Sequence, residues 1–273
     1  MREAVIVSTA RTPIGKAFRG AFNDTQAQEM AGHAIAEAVK RSKVSREEID
    51  DVIIGAAGQQ GSQQGNIARQ SLLRAGLPVS VAGMSLDRQC ASGMMAIATA
   101  AKEITEDGMT ITVGGGVESV SLVRNQNFRM DRARDPWLEE NIPSLYMTMI
   151  ETAENVAKRY GISREAQDEY SLQSQMRTAK AQQNGFMDKE IVPLKSTMKY
   201  KDKETGEISS HDVCIEKDEG NRPSTTFEGL SALKPVFKDG IYLKEGEYIT
   251  AGNASQLSDG ASASVLMEAR EAE

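Results

Sequence analysis

Over the first 120 residues, short apolar runs alternate with stripes of helical period. Segments 4–8 (AVIVS), 52–56 (VIIGA), 81–86 and 110–115 have strand length and end in turn-forming residues. Between the first two, Ala27, Met30, Ala31, Ala34, Ile35, Ala38 and Val39 follow the i, i+3, i+4, i+7 spacing of an amphipathic helix, predicted over Thr25–Lys40. Further helices are predicted over Asn66–Ala75 and Ala91–Ile104, the latter rich in alanine. Ser45 and Glu48 form a capping-box pair ahead of the second strand. Strands alternating with helices predict an α/β layered unit.

The pattern then changes. Residues 121–145 are polar, with four Arg, two Pro and the lone Trp137, and read as an excursion from the core. Helices are predicted over Ile150–Tyr160 and Arg164–Asn184, and the charged stretch 195–222 reads as a loop or hairpin. Residues 248–267 return to Gly- and Ala-rich, strand-like sequence. The predicted organisation is a core formed by 1–120 and 248–273, interrupted by an inserted, mostly helical domain over 121–247.

A net charge of −7 argues against a nucleic-acid partner, which calls for a basic patch. No apolar run approaches the roughly 18–20 residues needed to span a bilayer, and the start of the chain has no signal-peptide pattern, so the expectation is a cytoplasmic protein with no membrane partner. The only two cysteines, Cys90 and Cys214, form no CxxC pair and suggest no disulfide framework. With few aromatic residues and 23 Gly, the core must pack through small and aliphatic side chains.

The most informative segment is MSLDRQCASGMMAIATAA, where a strand leads to Cys90 and a helix starts at or just after it. A thiol at a helix N-terminus meets free N–H groups and the positive end of the helix dipole, an arrangement that favours the nucleophilic thiolate. Ala91, Ser92 and Gly93 keep the approach to sulfur open. The competing reading is a buried structural cysteine. A Cys–His hydrolase would need a histidine base, and only His33 and His211 exist. His33 sits within the first predicted helix, where packing explains it, and His211 lies in the charged loop. Gly114-Gly115-Gly116 lacks P-loop spacing and suits close backbone approach better than phosphate binding. No stretch has metal-ligand spacing, so no metal is expected.

Several stretches, in order, resemble the thiolase family: RTPIGK near the start, RQCASGMMA around Cys90, VGGGVESVS, MIETAENVA, ISREAQDEYSLQSQ, ALKPVF and ITAGNASQLSDGA. The resemblance runs from about residue 2 to residue 268. It implies the amino-terminal half of a thiolase-type fold, with a mixed five-stranded sheet, helices and an inserted loop domain. It implies acyl transfer by a ping-pong route through an acyl-Cys90 thioester, making or cleaving a 3-ketoacyl-CoA in fatty-acid metabolism. Coenzyme A and acyl-CoA would be substrates, with no tightly bound cofactor. The coenzyme-binding positions implied are Met149, Arg222, Phe237, Ala251, Gly252 and Ser255, and the assembly implied is a homodimer or homotetramer.

Three departures stand out. Thr148 precedes Met149 where many members have His, Gly229 stands where a serine often contacts coenzyme A, and Val120 replaces a usual Met. Members also continue past this sequence into segments with Asn-Glu-Ala-Phe, Gly-His-Pro and Cys-x-Gly-Gly-Gly, which supply a histidine and a second cysteine. The second half of the fold is therefore expected to be absent, and this chain alone to be nearly inactive. Two alternatives share the fold: a non-catalytic module that binds coenzyme A or a partner, and a decarboxylating or sterol-carrier-type relative.

Overall fold

The computed structural model describes residues 2–273 and divides into two compact units. One comprises the chain through Phe128, Met187–Gly220 and Leu257–Glu273; the other comprises Arg129–Phe186 and Asn221–Gln256. In chain order the first elements are β1 (Ala4–Arg11), β2 (Gly15–Lys16), α1 (Ala27–Ser42), β3 (Asp51–Gly55), α2 (Ile67–Arg74) and β4 (Ala82–Leu86). Next come α3 (Ser92–Thr105), β5 (Ile111–Ser119), α4 (Val120–Val123), α5 (Pro136–Asn141), α6 (Met149–Tyr160) and α7 (Arg164–Gln183). The last are β6 (Leu194–Lys201), β7 (Ile208–Ile215), α8 (Phe227–Ser231) and β8 (Ser258–Glu268).

The sheet of the first unit is mixed, in the order β1-β8-β5-β3-β4, with the short β2 paired to β8 as a sixth strand. β3 runs parallel to β4 and β5, whereas β8 runs antiparallel to β1 and β5. Side chains alternate across a strand, and β3 shows the consequence. Val52 and Ile54 enter the larger core under α1 and α2, with Phe22, Met30, Ile35 and Leu72. Ile53 points the other way, into a smaller core with Ala96, Ala100, Ile104 and Leu266. A strand covered on both faces reads as a continuous apolar run, as this one does.

The cover on the second face is incomplete. Among the described residues α3 is the helix that covers it, with Met94 77% exposed. Ala4 and Leu86 pack against the α3 cluster, so Ile6 and Met84, two residues along their strands, share that face; they are 54% and 38% exposed.

The β6–β7 hairpin belongs with this sheet unit, whereas the sequence pattern assigned it to the inserted segment. Its flanks hold two apolar anchors, Leu194 and Ile215, that reach the larger core. Arg11 fixes the connection: its N–H donates to Glu190 O at 2.9 Å, its carbonyl accepts from Val192 N at 2.8 Å, and its guanidinium grips Asp218 with both terminal nitrogens. The chain also returns to the sheet at Leu257 rather than at residue 248.

The second unit is mostly helical and uses two buried glutamates as clamps. Glu151 and Glu154, each 1% exposed, lie one turn apart on α6. Glu151 accepts the backbone N–H groups of Ile241, Tyr242 and Leu243. Glu154 accepts those of Glu247, Tyr248 and Ile249. The loop at 238–247 has little regular structure of its own, and these carboxylates take over the role of a strand partner for its donors.

α3 ends on a strained carboxyl. Glu103 is 8% exposed, and its Oε2 is sealed from solvent without a hydrogen-bond partner. Burial, with the negative charges of Asp51 and Asp107, pushes it up to about 7 from its ordinary 4.5. The folded state therefore holds the proton more tightly than the unfolded chain. The associated stability is complete below pH 4.5 and is lost as pH rises through about 7. Glu103→Gln is expected to remove this dependence and to be the more stable form above pH 7. Urea midpoints of both forms at pH 5 and pH 8 check it; equal loss between those pH values in both would sink the assignment to Glu103.

Candidate active site: the Cys90 elbow and the coenzyme-binding positions

Cys90 lies on the tight connection between β4 and α3, two residues before the first helical residue, and is exposed. Gln89 just before it has φ +49°, the left-handed region that a residue with a Cβ rarely adopts. Side chains hold the turn. Gln89 N–H donates to Asp87 Oδ1 at 2.7 Å, Arg88 N–H donates to Ser92 Oγ at 2.8 Å, and Ser92 Oγ donates to Gln89 O at 2.6 Å. Ala91 N and Ser92 N close short turns onto Arg88 O and Gln89 O. Helix α3 thus begins immediately behind the thiol, and its first N–H groups face the turn.

Glycines set how deeply that helix start sits on the sheet. A Cβ placed on Gly55, the last residue of β3, would lie 2.2 Å from the Ser92 carbonyl carbon and oxygen. One on Gly114 in β5 would lie 2.6 Å from Ile97 Cα. The helix backbone rests directly on the strands at these points, which no larger residue permits. The Gly114-Gly115-Gly116 run is accordingly strand, continuing β5 to Ser119, and serves packing.

Behind the elbow, the Glu118 carboxylate accepts Ala57 N at 2.9 Å, Gly58 N at 3.2 Å and Gln63 Nε2 at 3.0 Å, so it organises the loop that follows β3. Gln63 Oε1 in turn accepts Ser119 N. Asp259, fully buried at the start of β8, accepts Ser121 N at 2.9 Å and Ser121 Oγ. Burial pushes its carboxyl up against the opposing pull of the Ser121 hydrogen bonds. The sequence reading passed over these groups; their one signal was a carboxylate beside apolar or glycine neighbours in a strand.

The histidines are engaged elsewhere. His33 Nε2 bonds Pro193 O at 3.0 Å, and His211 Nε2 bonds Ser209 Oγ at 2.9 Å on the exposed face of β7. Cys214 is exposed on β7.

All six proposed coenzyme-binding positions fall in the second unit. Met149 opens α6 and is 76% exposed, while Thr148 before it is the N-cap, its side chain accepting Glu151 N. Arg222 is exposed; its N–H donates to Gln175 Oε1 at 2.8 Å and its carbonyl accepts Thr225 Oγ1 at 2.7 Å. Phe237 is buried beside Gly240 in the clamped loop. Ala251, Gly252 and Ser255 share one turn, which Asn253 pins by donating to Asp168 Oδ1 at 3.1 Å and to Tyr248 O at 2.9 Å. Asp168, 1% exposed, is paired at 2.8 Å with Arg164.

Cys90 is thus an exposed cysteine on a strained strand-to-helix turn, over a glycine-lined sheet. Comparison with known proteins shows the family. Residues 4–270 match the thiolase N-terminal domain. The chain belongs to this family. It is 40% identical over 276 residues to a 3-ketoacyl-CoA thiolase of Bacillus subtilis (strain 168), a match covering all of this chain and 68% of that protein. It is 38% identical to a beta-ketoadipyl-CoA thiolase of Pseudomonas putida, covering 98% of this chain and 67% of that one. Among solved structures, the Bacillus anthracis acetyl-CoA acetyltransferase superposes with a TM-score of 0.80 at 37% identity, over all of this chain and 67% of the other. The thiolase-family chain thus spans about two thirds of the length of these relatives. Its mixed sheet with flanking helices is the fold that the resemblance implied. Among the described residues no helix is long and apolar enough to cross a membrane.

Proposed function

We propose that this chain carries the acyl-accepting cysteine of a thiolase, in an enzyme that makes or cleaves a 3-ketoacyl-CoA. Cys90 Sγ attacks the thioester carbonyl of an acyl-CoA. The Cys90–acyl bond forms as the bond to the coenzyme sulfur breaks, and the thiol proton passes to the departing coenzyme A. The acyl group then leaves Cys90 for a second acceptor. The observation that carries this reading is the exposed Cys90 on its elbow ahead of α3, within RQCASGMMA, in a chain of the thiolase N-terminal family. Met149, Arg222, Phe237, Ala251, Gly252 and Ser255 are assigned to coenzyme A by the family resemblance. Arg222 offers an exposed guanidinium suited to a phosphate or an adenine face.

Full turnover also needs a proton acceptor for the thiol. Neither histidine is hydrogen-bonded to Cys90, so these 273 residues alone accept an acyl group slowly and depend for turnover on a histidine and a second cysteine from other sequence. The apolar face beside α3, with Ile6, Met84 and Met94, fits contact with such a second half. The test is coenzyme A release: acetyl-CoA is mixed with the chain, and free coenzyme A is separated from it and quantified by chromatography. The expected result is a slow burst approaching one equivalent per chain. A chain that binds coenzyme A yet releases none from acetyl-CoA is a binding module instead.

A further inference from the structure

We infer that Ser92 is the positioning residue of the Cys90 elbow: its hydroxyl, together with the Asp87 carboxylate, holds Gln89 in a left-handed conformation and thereby fixes where the Cys90 sulfur points. The inference rests on the acyl-accepting role assigned to Cys90, and adds the device that presents the thiol.

Ser92 is 4% exposed although its neighbours Cys90 and Ala91 are exposed. A buried hydroxyl must be satisfied, and Ser92 Oγ is satisfied within the elbow: it accepts from Arg88 N at 2.8 Å and donates to Gln89 O at 2.6 Å. One side chain thus bridges the residues on both sides of the turn. Asp87 Oδ1 takes a further donor, Gln89 N, at 2.7 Å. The turn they enclose contains Gln89 at φ +49°, a conformation that costs free energy for any residue with a Cβ. Such a conformation persists only where the surroundings over-determine it, and here three side-chain hydrogen bonds do so. Ser92 itself cannot retreat, because its backbone is the surface on which Gly55 rests. The hydroxyl is therefore anchored to the sheet at one end and to the strained turn at the other.

The residue before the nucleophile supplies the discriminating test. Glycine adopts positive φ freely, so Gln89→Gly should relieve the elbow of its need for the Ser92 clamp. The readout is the second-order rate of Cys90 alkylation by iodoacetamide on the 273-residue chain, followed on the Cys90 peptide by mass spectrometry so that exposed Cys214 is scored separately, with acetyl-CoA acylation measured in parallel. Ser92→Ala is expected to slow alkylation about tenfold, and Ser92→Ala combined with Gln89→Gly to recover most of the rate. Asp87→Ala, on the exposed side, is expected to slow it several-fold and serves as the deciding variant should Ser92→Ala not fold. A hydroxyl that merely stabilises the fold would lower the melting temperature without altering the rate, and Gln89→Gly would rescue nothing. Parent-like rates in the folded variants, or a double variant no faster than Ser92→Ala, would overturn the inference. Slowed and rescued alkylation without any acylation by acetyl-CoA would leave the elbow intact and remove the acyl-transfer reading instead.

Discussion

Gly55→Ala is expected to be among the most damaging single-methyl changes in the molecule. The new Cβ would sit 2.2 Å from two backbone atoms of Ser92, so relief requires the whole start of α3 to move. Overpacking usually costs 1–3 kcal/mol; with backbone on both sides of the clash, about 3 kcal/mol is the expected loss. For a chain of this size that corresponds to a melting temperature lower by roughly 6–12 °C. The same displacement lifts Cys90 off its seat, so acyl acceptance should fall along with stability. Calorimetry and the coenzyme A release assay check both. An alanine variant melting within a degree or two of the parent would mean that the helix does not rest on β3 at Gly55.

The second large effect is expected at Glu154. Its carboxylate is 1% exposed and takes three consecutive backbone donors, Glu247, Tyr248 and Ile249. Glu154→Ala strands those donors, and buried groups without partners cost about 1–3 kcal/mol each. A loss of about 3–5 kcal/mol is expected, concentrated in the loop ahead of the Ala251–Ser255 turn. Amide hydrogen exchange should show residues 247–249 losing protection before α7 does; unchanged protection there would contradict the clamp. Glu151 adds a pH signature. Burial alone would raise its carboxyl, but the N–H groups of Tyr242, Ile241 and Leu243 hold it below its ordinary 4.5. Its stabilising contribution is therefore present above pH 4.5 and is lost as pH falls through the lowered folded value.

The sequence disclosed most where one face of an element meets one environment. All seven apolar positions of the 3.6-residue stripe in the first helix are buried in α1, because that helix lies on the sheet along a single face. The capping box at Ser45 and Glu48 forms as its residues suggest. α6 and α7 fall within a residue or two of their predicted ends, since Thr148 and Ser163 cap them with side-chain hydrogen bonds. Reading failed where tertiary contact overrides local chemistry. The sequence pattern carries the fourth strand only to residue 115, yet β5 continues to Ser119, and Gly114 is needed there because α3 lies on its bare backbone. Residues 248–267 look strand-like as a whole, yet only 258–267 are strand; the turn formers from Thr250 onward make the tight turn that Asn253 pins. The β6–β7 hairpin is too charged to suggest core membership, which Leu194 and Ile215, with Val192 and Val213 beside them, reveal. Around the proposed site, the placement of Cys90 just ahead of a helix was legible from its motif. The left-handed Gln89 and the Ser92 clamp were not, because no residue-type rule places a glutamine at positive φ.

The central claim is that Cys90 accepts an acyl group from coenzyme A. Its most direct test is intact mass after incubation with acetyl-CoA, with peptide mapping and a Cys90→Ala control. The account predicts a single added acetyl group, located on Cys90, removed by excess coenzyme A and absent from the alanine variant. An unmodified Cys90, even in the presence of the second half of a relative's chain, or an acetyl group that persists in Cys90→Ala, would contradict it.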